Sequence, residues 1–318
     1  MKAAKLKSDK NFVIVETDTP IPATTDVLIR VSTCGICKSD VHLWKQFLPK
    51  YAIPGFPGHE VFGVVEKTGS DVKAVRAGDT VTCISFPGKG YAEYVCVPEN
   101  RVVKVKQQGS HILLGEPLAC AYNIINRTRI SEGQLIAVIG TGYLGLLLIK
   151  LLRKKYTNTI IAIDDRDSAR TNALKAGASH VFHQEVSMIK KAVKESGKAG
   201  IDVIIEAAGT QSALDLATTL IAHKGCLLVA GYHAQGNRII NMQQWNWKGI
   251  DVINAHERDE EVYMDGLRGA LSLMESEMHA FDMISHSFSL GNIDKAFELF
   301  DDSPEGYVKG VIRFNENE

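Results

Sequence analysis

The sequence predicts an α/β protein of two domains, one mainly β and one a doubly wound parallel sheet of six strands. Three observations carry that expectation. At 318 residues the chain is too long for one small core, and two domains are the natural division. Through roughly residue 115 short β-branched runs follow one another without helical spacers, whereas from about 121 to 255 strand-like and helix-like stretches alternate. Within the second part, residues 135–164 run strand, glycine turn, amphipathic helix and strand, and close on an acid.

Composition narrows the function classes. The chain is 45% apolar and 23% charged, as a globular protein is. Lys plus Arg is 36 and Asp plus Glu is 37, so the net charge of -1 offers no electrostatic case for nucleic acid or an anionic membrane. The opening MKAAKLKSDK lacks the apolar centre of a signal peptide, and no apolar run has the length to cross a bilayer. Six cysteines spread over the chain read as reduced thiols or metal ligands, not as a disulfide framework, so a cytoplasmic location is expected.

In the first domain the strand candidates are 27–31, 61–66, 80–84, 91–97 and 102–105. Pro20, Pro22, Pro54, Gly55, Gly69, Gly78, Asp79, Pro87 and Gly88 punctuate them, which suggests an antiparallel, barrel-like arrangement. In the second, strands begin near Leu135, Thr159, His180, Ile201, Cys226 and Ile250, with helices such as 168–176, 186–195 and 212–222 between them. The tail holds a helix over 262–278, a strand over 284–290, a short helix over 293–300 and a strand over 308–314. It does not extend a parallel sheet naturally and is expected to fold back onto the first domain. The predicted segments are 1–120, 121–255 and 256–318.

Gly140-Thr141-Gly142-Tyr143-Leu144-Gly145 is a G-x-G-x-x-G between an apolar run and a helix whose Leu144, Leu147, Leu148, Leu151 and Leu152 share one side. Gly140 permits the tight turn, Gly142 lets backbone approach a pyrophosphate, and Gly145 lets helix and strand pack closely. The free N–H groups at the helix start face the phosphates. Asp164 is placed to hydrogen-bond the adenosine ribose. A lone G-x-G-x-x-G is weak, but strand, helix and acid in register predict dinucleotide binding. Asp164 and Asp165 favour NAD over NADP, since a 2′-phosphate would meet their charge; Arg166 and Arg170 offset part of it.

Two clusters in the first domain carry metal chemistry. Cys34 and Cys37 precede Ser39, Asp40 and His42, and His59-Glu60 follows Gly58. Thiolate, imidazole and carboxylate together suit a catalytic zinc with an open position. Cys34-x-x-Cys37 alone also fits a redox pair or half a zinc ribbon, although no second C-x-x-C completes a ribbon. Standing alone, the two clusters would be read as buried cysteines and a hydrogen-bonded histidine.

They do not stand alone. Cys37-x-Ser39-Asp40-x-His42, Gly58-His59-Glu60, Gly78-Asp79-x-Val81 and the nucleotide fingerprint resemble the zinc-dependent medium-chain dehydrogenases of the alcohol dehydrogenase superfamily. Glu116-Pro117-Leu118, Ile284-Ser285-His286-x-Phe288 and Ala296-Phe297 extend the resemblance over essentially the whole chain. It is closest to the polyol (sorbitol-type) and threonine dehydrogenase branch, because Glu116-Pro117-Leu118 stands where ethanol-type enzymes carry a cysteine ligand.

The resemblance implies a GroES-like catalytic domain joined to a Rossmann domain. It implies Cys37, His59, Glu60 and Glu116 as metal ligands, the last directly or through water, with Asp40 orienting His59. Ser39 and His42 sit where the family passes the alcohol proton toward solvent. The family's four-cysteine lobe is missing, since the strand ending near Ile84 runs almost directly into Gly90-Tyr91-Ala92-Glu93-Tyr94; one zinc per chain is expected. Cys83, Cys96, Cys120 and Cys226 then read as small buried apolar residues. The basic residue often found five positions after the ribose acid is Ala169 here, with Arg170 beside it.

The expected function is hydride transfer between a secondary alcohol and NAD. Polyols, sugar alcohols or cyclitols come first, threonine-like amino alcohols second and simple secondary alcohols third. A zinc-free quinone or enoyl reductase and a non-catalytic nucleotide-binding protein are the alternatives from other classes. Trp44, Trp245 and Trp247 are read as core or interface residues before cleft residues. The sheet edge near 250–254 is expected to join chains into a homodimer or homotetramer.

Overall fold

The computed structural model describes residues 1–7, 10–45, 55–86, 88–106, 111–234, 236–274 and 282–314. Two compact units result, Met1–Ala119 with Met274–Glu318, and Cys120–Leu273. The returning tail therefore starts later than expected, because 256–273 clusters with the nucleotide unit. Packing gives the reason: on the helix α8 (Glu260–Met274), β-carbons at Gly266 and Gly269 would strike Asn123 and Tyr122, so only glycine permits that approach. The expected continuation of this helix past 274 lies outside the described residues, as do Pro54 and Pro87. Among the described residues no helix is long and apolar enough to cross a membrane.

The first unit opens with an antiparallel pair, β1 (Lys2–Leu6) and β2 (Phe12–Glu16), which the sequence reading did not anticipate. Its larger sheet holds β3 (Asp26–Gly35), β4 (Glu60–Thr68), β5 (Thr80–Ile84), β6 (Tyr94–Pro98), β7 (Val102–Lys104), β14 (His286–Ser289) and β15 (Gly310–Arg313). The order is β14-β15-β3-β4-β5-β7, with β6 also on β3. Long β3 divides its neighbours: residues 26–30 pair with β6, and residues 33–35 pair with β15. Gly35 lies opposite Glu60 on one side and Val311 on the other, so three distant segments meet at one end of the sheet. The tail is fastened by Phe297 of α9 (Ile293–Asp302), whose ring lies 4.8 Å from Phe12, 5.8 Å from Tyr91 and 6.2 Å from Trp44. Trp44 is partly buried and packs against the core.

The second unit alternates β8 (Ile136–Ile139), α3 (Tyr143–Lys155), β9 (Ile160–Ile163), α4 (Asp167–Ala176), β10 (His180–Phe182), α5 (Val186–Glu195) and β11 (Ile201–Glu206). It continues α6 (Gln211–Leu220), β12 (Ile221–Val229), α7 (Met242–Lys248) and β13 (Asp251–Asn254). All six strands are parallel in the order β10-β9-β8-β11-β12-β13, the doubly wound arrangement. Every residue of β8 and β9 is buried, which is why they read as unbroken apolar runs without alternation. Strand β12 starts earlier than expected, at Ile221, so the end of the predicted helix over 212–222 is strand. Trp245 donates from Nε1 to Thr218 Oγ1 at 2.9 Å and packs on the core, while Trp247 on the same helix is exposed.

Candidate active site

The metal candidates gather where β3, β4 and β15 meet. Cys37 caps the short helix α1 (Lys38–Trp44) just past the end of β3. His59 and Glu60 arrive from the turn into β4, and one ligand atom from each of Cys37, His59 and Glu60 lies within 4.8 Å of the others. Gly58 makes that turn possible: its φ is +95°, and a β-carbon there would fall 2.7 Å from Tyr91 N. Gly35 is required for another reason, since a β-carbon would overlap the Glu60 carboxylate. Cys34 is excluded by its place in the strand. Its sulfur is buried in the core, where burial, Asp40 and Glu60 push its thiol well above the ordinary value.

Asp40 is the hub of this arrangement. From the first turn of α1 its Oδ2 accepts the Cys37 N–H at 3.4 Å and the Tyr91 hydroxyl at 2.8 Å. Its Oδ1 accepts the Gly58 N–H at 3.4 Å and lies 3.4 Å from His59 Nδ1. One buried carboxylate thus ties the cysteine helix to the histidine turn. Burial opposes a charge on His59, but Asp40 and then the Cys37 sulfur outweigh it and hold the imidazole well above its ordinary pKa. With Nδ1 turned to Asp40, Nε2 is the atom directed inward, 4.0 Å from Glu116 Oε1.

Glu116 stands in the first turn of α2 (Gly115–Asn126). Thr82 fixes that helix start by accepting the Gly115 N–H at 2.9 Å while donating to Val61 O at 2.8 Å. Opposite lies a residue that sequence reasoning missed. Buried Lys309 donates from Nζ to Ile36 O at 2.8 Å and lies 2.8 and 2.6 Å from the two Glu60 oxygens. Burial disfavours its charge, yet Glu60, the Cys37 sulfur and Glu116 together hold its pKa above the ordinary value. Nothing local in Tyr307-Val308-Lys309-Gly310 marks this lysine among the chain's many others. Tyr91 was likewise unmarked.

Ser39 and His42 lie on α1, one turn apart. His42 is buried, and burial with Lys38 and Lys45 lowers its pKa to about 4, against a smaller opposing pull from Asp301. The donor set of thiol, imidazole and carboxylates is that of zinc, and the cluster fits one.

In the nucleotide unit the fingerprint glycines differ in what surrounds them. Gly140 has φ +89°, and Gly145 sits so close that a β-carbon would overlap Gly140 O. Gly142 faces open space, where a β-carbon would meet only Arg166 Nη2 at 3.8 Å. That open face at the start of α3, with Thr141, Tyr143 and Leu144 around it, fits a pyrophosphate. Asp164 ends β9 as expected and accepts the Thr141 N–H at 2.8 Å. Arg166 grips it through its own N–H at 3.1 Å, Nε at 3.2 Å and Nη2 at 3.3 Å. Burial opposes the Asp164 charge, but Arg166 and the Thr141 N–H hold the carboxyl below the usual range. Arg170 turns instead to the carbonyls of Asp164 and Asp165, at 2.7 and 2.8 Å, and to the Asp167 carboxylate. Asp165 faces outward to Gln184 Nε2 at 3.0 Å.

Comparison with known proteins gives the same division. The profile of the alcohol dehydrogenase GroES-like domain matches residues 23–107, and that of the zinc-binding dehydrogenases matches residues 144–272. A sorbitol dehydrogenase of Halalkalibacterium halodurans is 27% identical over 319 residues, covering 90% of this chain and 92% of that protein. The quinone oxidoreductase of Homo sapiens is 30% identical over 269 residues, 80% of each chain. An alcohol dehydrogenase from Escherichia coli CFT073, solved in complex with NADH, superposes with a TM-score of 0.82 over 99% of each chain at 22% identity.

Proposed function

The chain belongs to the zinc-type medium-chain dehydrogenases/reductases, and from that premise we propose that it oxidises a secondary alcohol, a polyol first of all, using one zinc and NAD. It is an alcohol-type oxidoreductase. The observation that carries the finer reading is the convergence of Cys37, His59 and Glu60 within 4.8 Å.

Cys37, His59, Glu60 and Glu116 would hold the metal. Zinc, when bound, supplies the Lewis acidity that makes a hydroxyl proton removable near neutral pH. NAD, when bound, supplies the hydride acceptor. Asp40 holds His59 so that Nε2 faces inward. Lys309 offsets the negative charge of the thiolate and two carboxylates, which would otherwise repel one another when buried. Ser39 and His42, on one helix, carry the substrate proton outward; burial keeps His42 neutral, so it passes the proton on without retaining it. The Gly140–Gly145 turn binds the pyrophosphate, and Asp164 the adenosine ribose.

The carboxylate-rich site and the sorbitol dehydrogenase relative support a polyhydroxylated substrate over threonine-like amino alcohols and simple secondary alcohols. The human relative favours a second reading, a zinc-free quinone reductase, against which the intact donor set argues. Strand β13, an edge of the parallel sheet, is the surface on which we place a homodimer or homotetramer.

One experiment tests the reading. Purified protein is analysed for zinc, then given NAD or NADP with polyols, threonine and simple secondary alcohols while NADH or NADPH absorbance is followed. About one zinc per chain and the highest kcat/KM with NAD and a polyol are expected. Two zincs, a clear NADP preference, or quinone reduction without zinc each overturn the corresponding part. A monomer mass in light scattering would remove the oligomer.

A further inference from the structure

The nucleotide unit holds a buried carboxylate that neither the fingerprint nor the metal cluster uses. Glu206, the last residue of β11, is 0% exposed. Its Oε1 accepts the backbone N–H groups of Ala208 at 2.9 Å and Gly209 at 2.6 Å. Its Oε2 lies 2.8 Å from His233 Nε2, and Arg238 Nε donates to His233 Nδ1 at 3.0 Å. A guanidinium only donates, so Nδ1 is the acceptor and the ring proton sits on Nε2, aimed at Glu206. Arg238 Nη2 also donates to Gly209 O at 3.2 Å. The chain of contacts returns to the turn from which it began.

That turn matters because of what it touches. Residues 207–209 lead from β11 toward α6, and the Ala207 N–H donates to Ile139 O at 2.8 Å, just before the fingerprint. A β-carbon on Gly140 would fall 2.7 Å from Ala208 N and 2.8 Å from Ala208 Cβ. The first fingerprint glycine is therefore packed directly on the turn that Glu206 shapes. A displacement of 207–209 toward Gly140 therefore has little room before it meets the fingerprint backbone.

We propose that Arg238, His233 and Glu206 form a positioning network for the dinucleotide, holding residues 207–209 against Gly140 and so fixing the turn that receives the pyrophosphate. His233 is the central positioning residue. The proposal rests on the reading of Gly140–Gly145 as a dinucleotide site. Because the contact is with Gly140, it predicts weaker binding of the adenosine diphosphate half itself, not only of the nicotinamide end.

The test uses the full chain as purified, titrated by calorimetry with NAD and with ADP-ribose, which lacks the nicotinamide ring. Wild-type protein binds both; failure to do so overturns the dinucleotide reading itself, whatever the network does. His233→Ala is expected to weaken both ligands by about tenfold, since it strips the partner from a buried charge. Arg238→Gln keeps the histidine on Glu206 and so tests the outer link even if the first variant does not fold; about threefold weakening of both is expected. In turnover, KM for NAD rises by the same factors while kcat changes less. A merely structural role would lower the active fraction, and so kcat, with KM unmoved. That pattern overturns the proposal, as does unchanged ADP-ribose affinity in either folded variant.

Discussion

The metal cluster and the glycine fingerprint are assembled in opposite ways. The cluster draws Cys37 from a helix start, His59 and Glu60 from a turn, Glu116 from a second helix start and Lys309 from the approach to the last strand. Asp40 binds its pieces through four contacts, and every ligand candidate has a charged neighbour. The fingerprint is one contiguous turn in which Gly140 and Gly145 answer steric conditions within the chain and Gly142 leaves its face open. The first region should therefore be sensitive to charge, and the second to volume.

The largest effect separates the two outright. Cys37→Ala should lose zinc and reduce turnover by at least about a hundredfold, while NAD affinity stays within about twofold of wild type, because the two sites lie in different units. Elemental analysis and dinucleotide titration check this. Loss of NAD binding together with zinc would break the separation.

Within the cluster the two glutamates sharpen the comparison. Glu60→Ala should lower zinc retention more, and Glu116→Ala should keep metal while lowering turnover more. Glu60→Ala also strands buried Lys309, and removing one partner of a buried pair costs roughly 3–5 kcal/mol. The double change with Lys309→Met should recover most of the melting temperature without recovering zinc. If zinc falls mainly with Glu116→Ala, Glu60 is not the resident ligand.

In the fingerprint a single methyl-scale change should have different consequences three residues apart. Gly142→Ala meets open space, so the protein should melt as wild type does and yet bind NAD at least about tenfold more weakly. Gly145→Ala overlaps Gly140 and should cost about 1–3 kcal/mol of stability. Equal melting temperatures for the two variants would contradict the volume argument.

The smallest effect is the pH response of His42. Its folded pKa of about 4 lies below the ordinary 6.5, so the unfolded chain binds the proton more readily. Its stability contribution is complete above about 6.5 and is lost as pH falls toward about 4. His42→Gln should flatten the stability profile in that window. A profile unchanged by the substitution would show that burial does not depress this histidine.

Legibility followed the range of the interactions involved. Strands β8, β9 and β11 of the parallel sheet were found because strands buried on both faces write themselves as apolar runs, and the alternation with helices located the other three. Strands β1 and β2 were missed, since Lys2 and Lys5 break the first one and a surface-like stretch disguises its buried Ala3, Ala4 and Leu6. Helices α1 and α7 were missed because seven residues are too few to establish a period. The later start of the tail depended on Gly266 and Gly269 packing on Asn123 and Tyr122, a contact that no local pattern announces.

The sequence by itself determined what is contiguous: the strand, turn, helix and acid of the fingerprint, and the donor side chains of Cys37, His59 and Glu60. Each depends on backbone geometry or side-chain chemistry within a few residues. The tertiary structure alone decided that Lys309 neutralises Glu60, that Tyr91 shares Asp40 with His59, and that Arg166 already occupies Asp164. The first of these follows from the register that sets Gly35 opposite both Glu60 and Val311. Pairing of charges far apart in the chain is a property of that register, and a sheet acquires its register only when its strands have met.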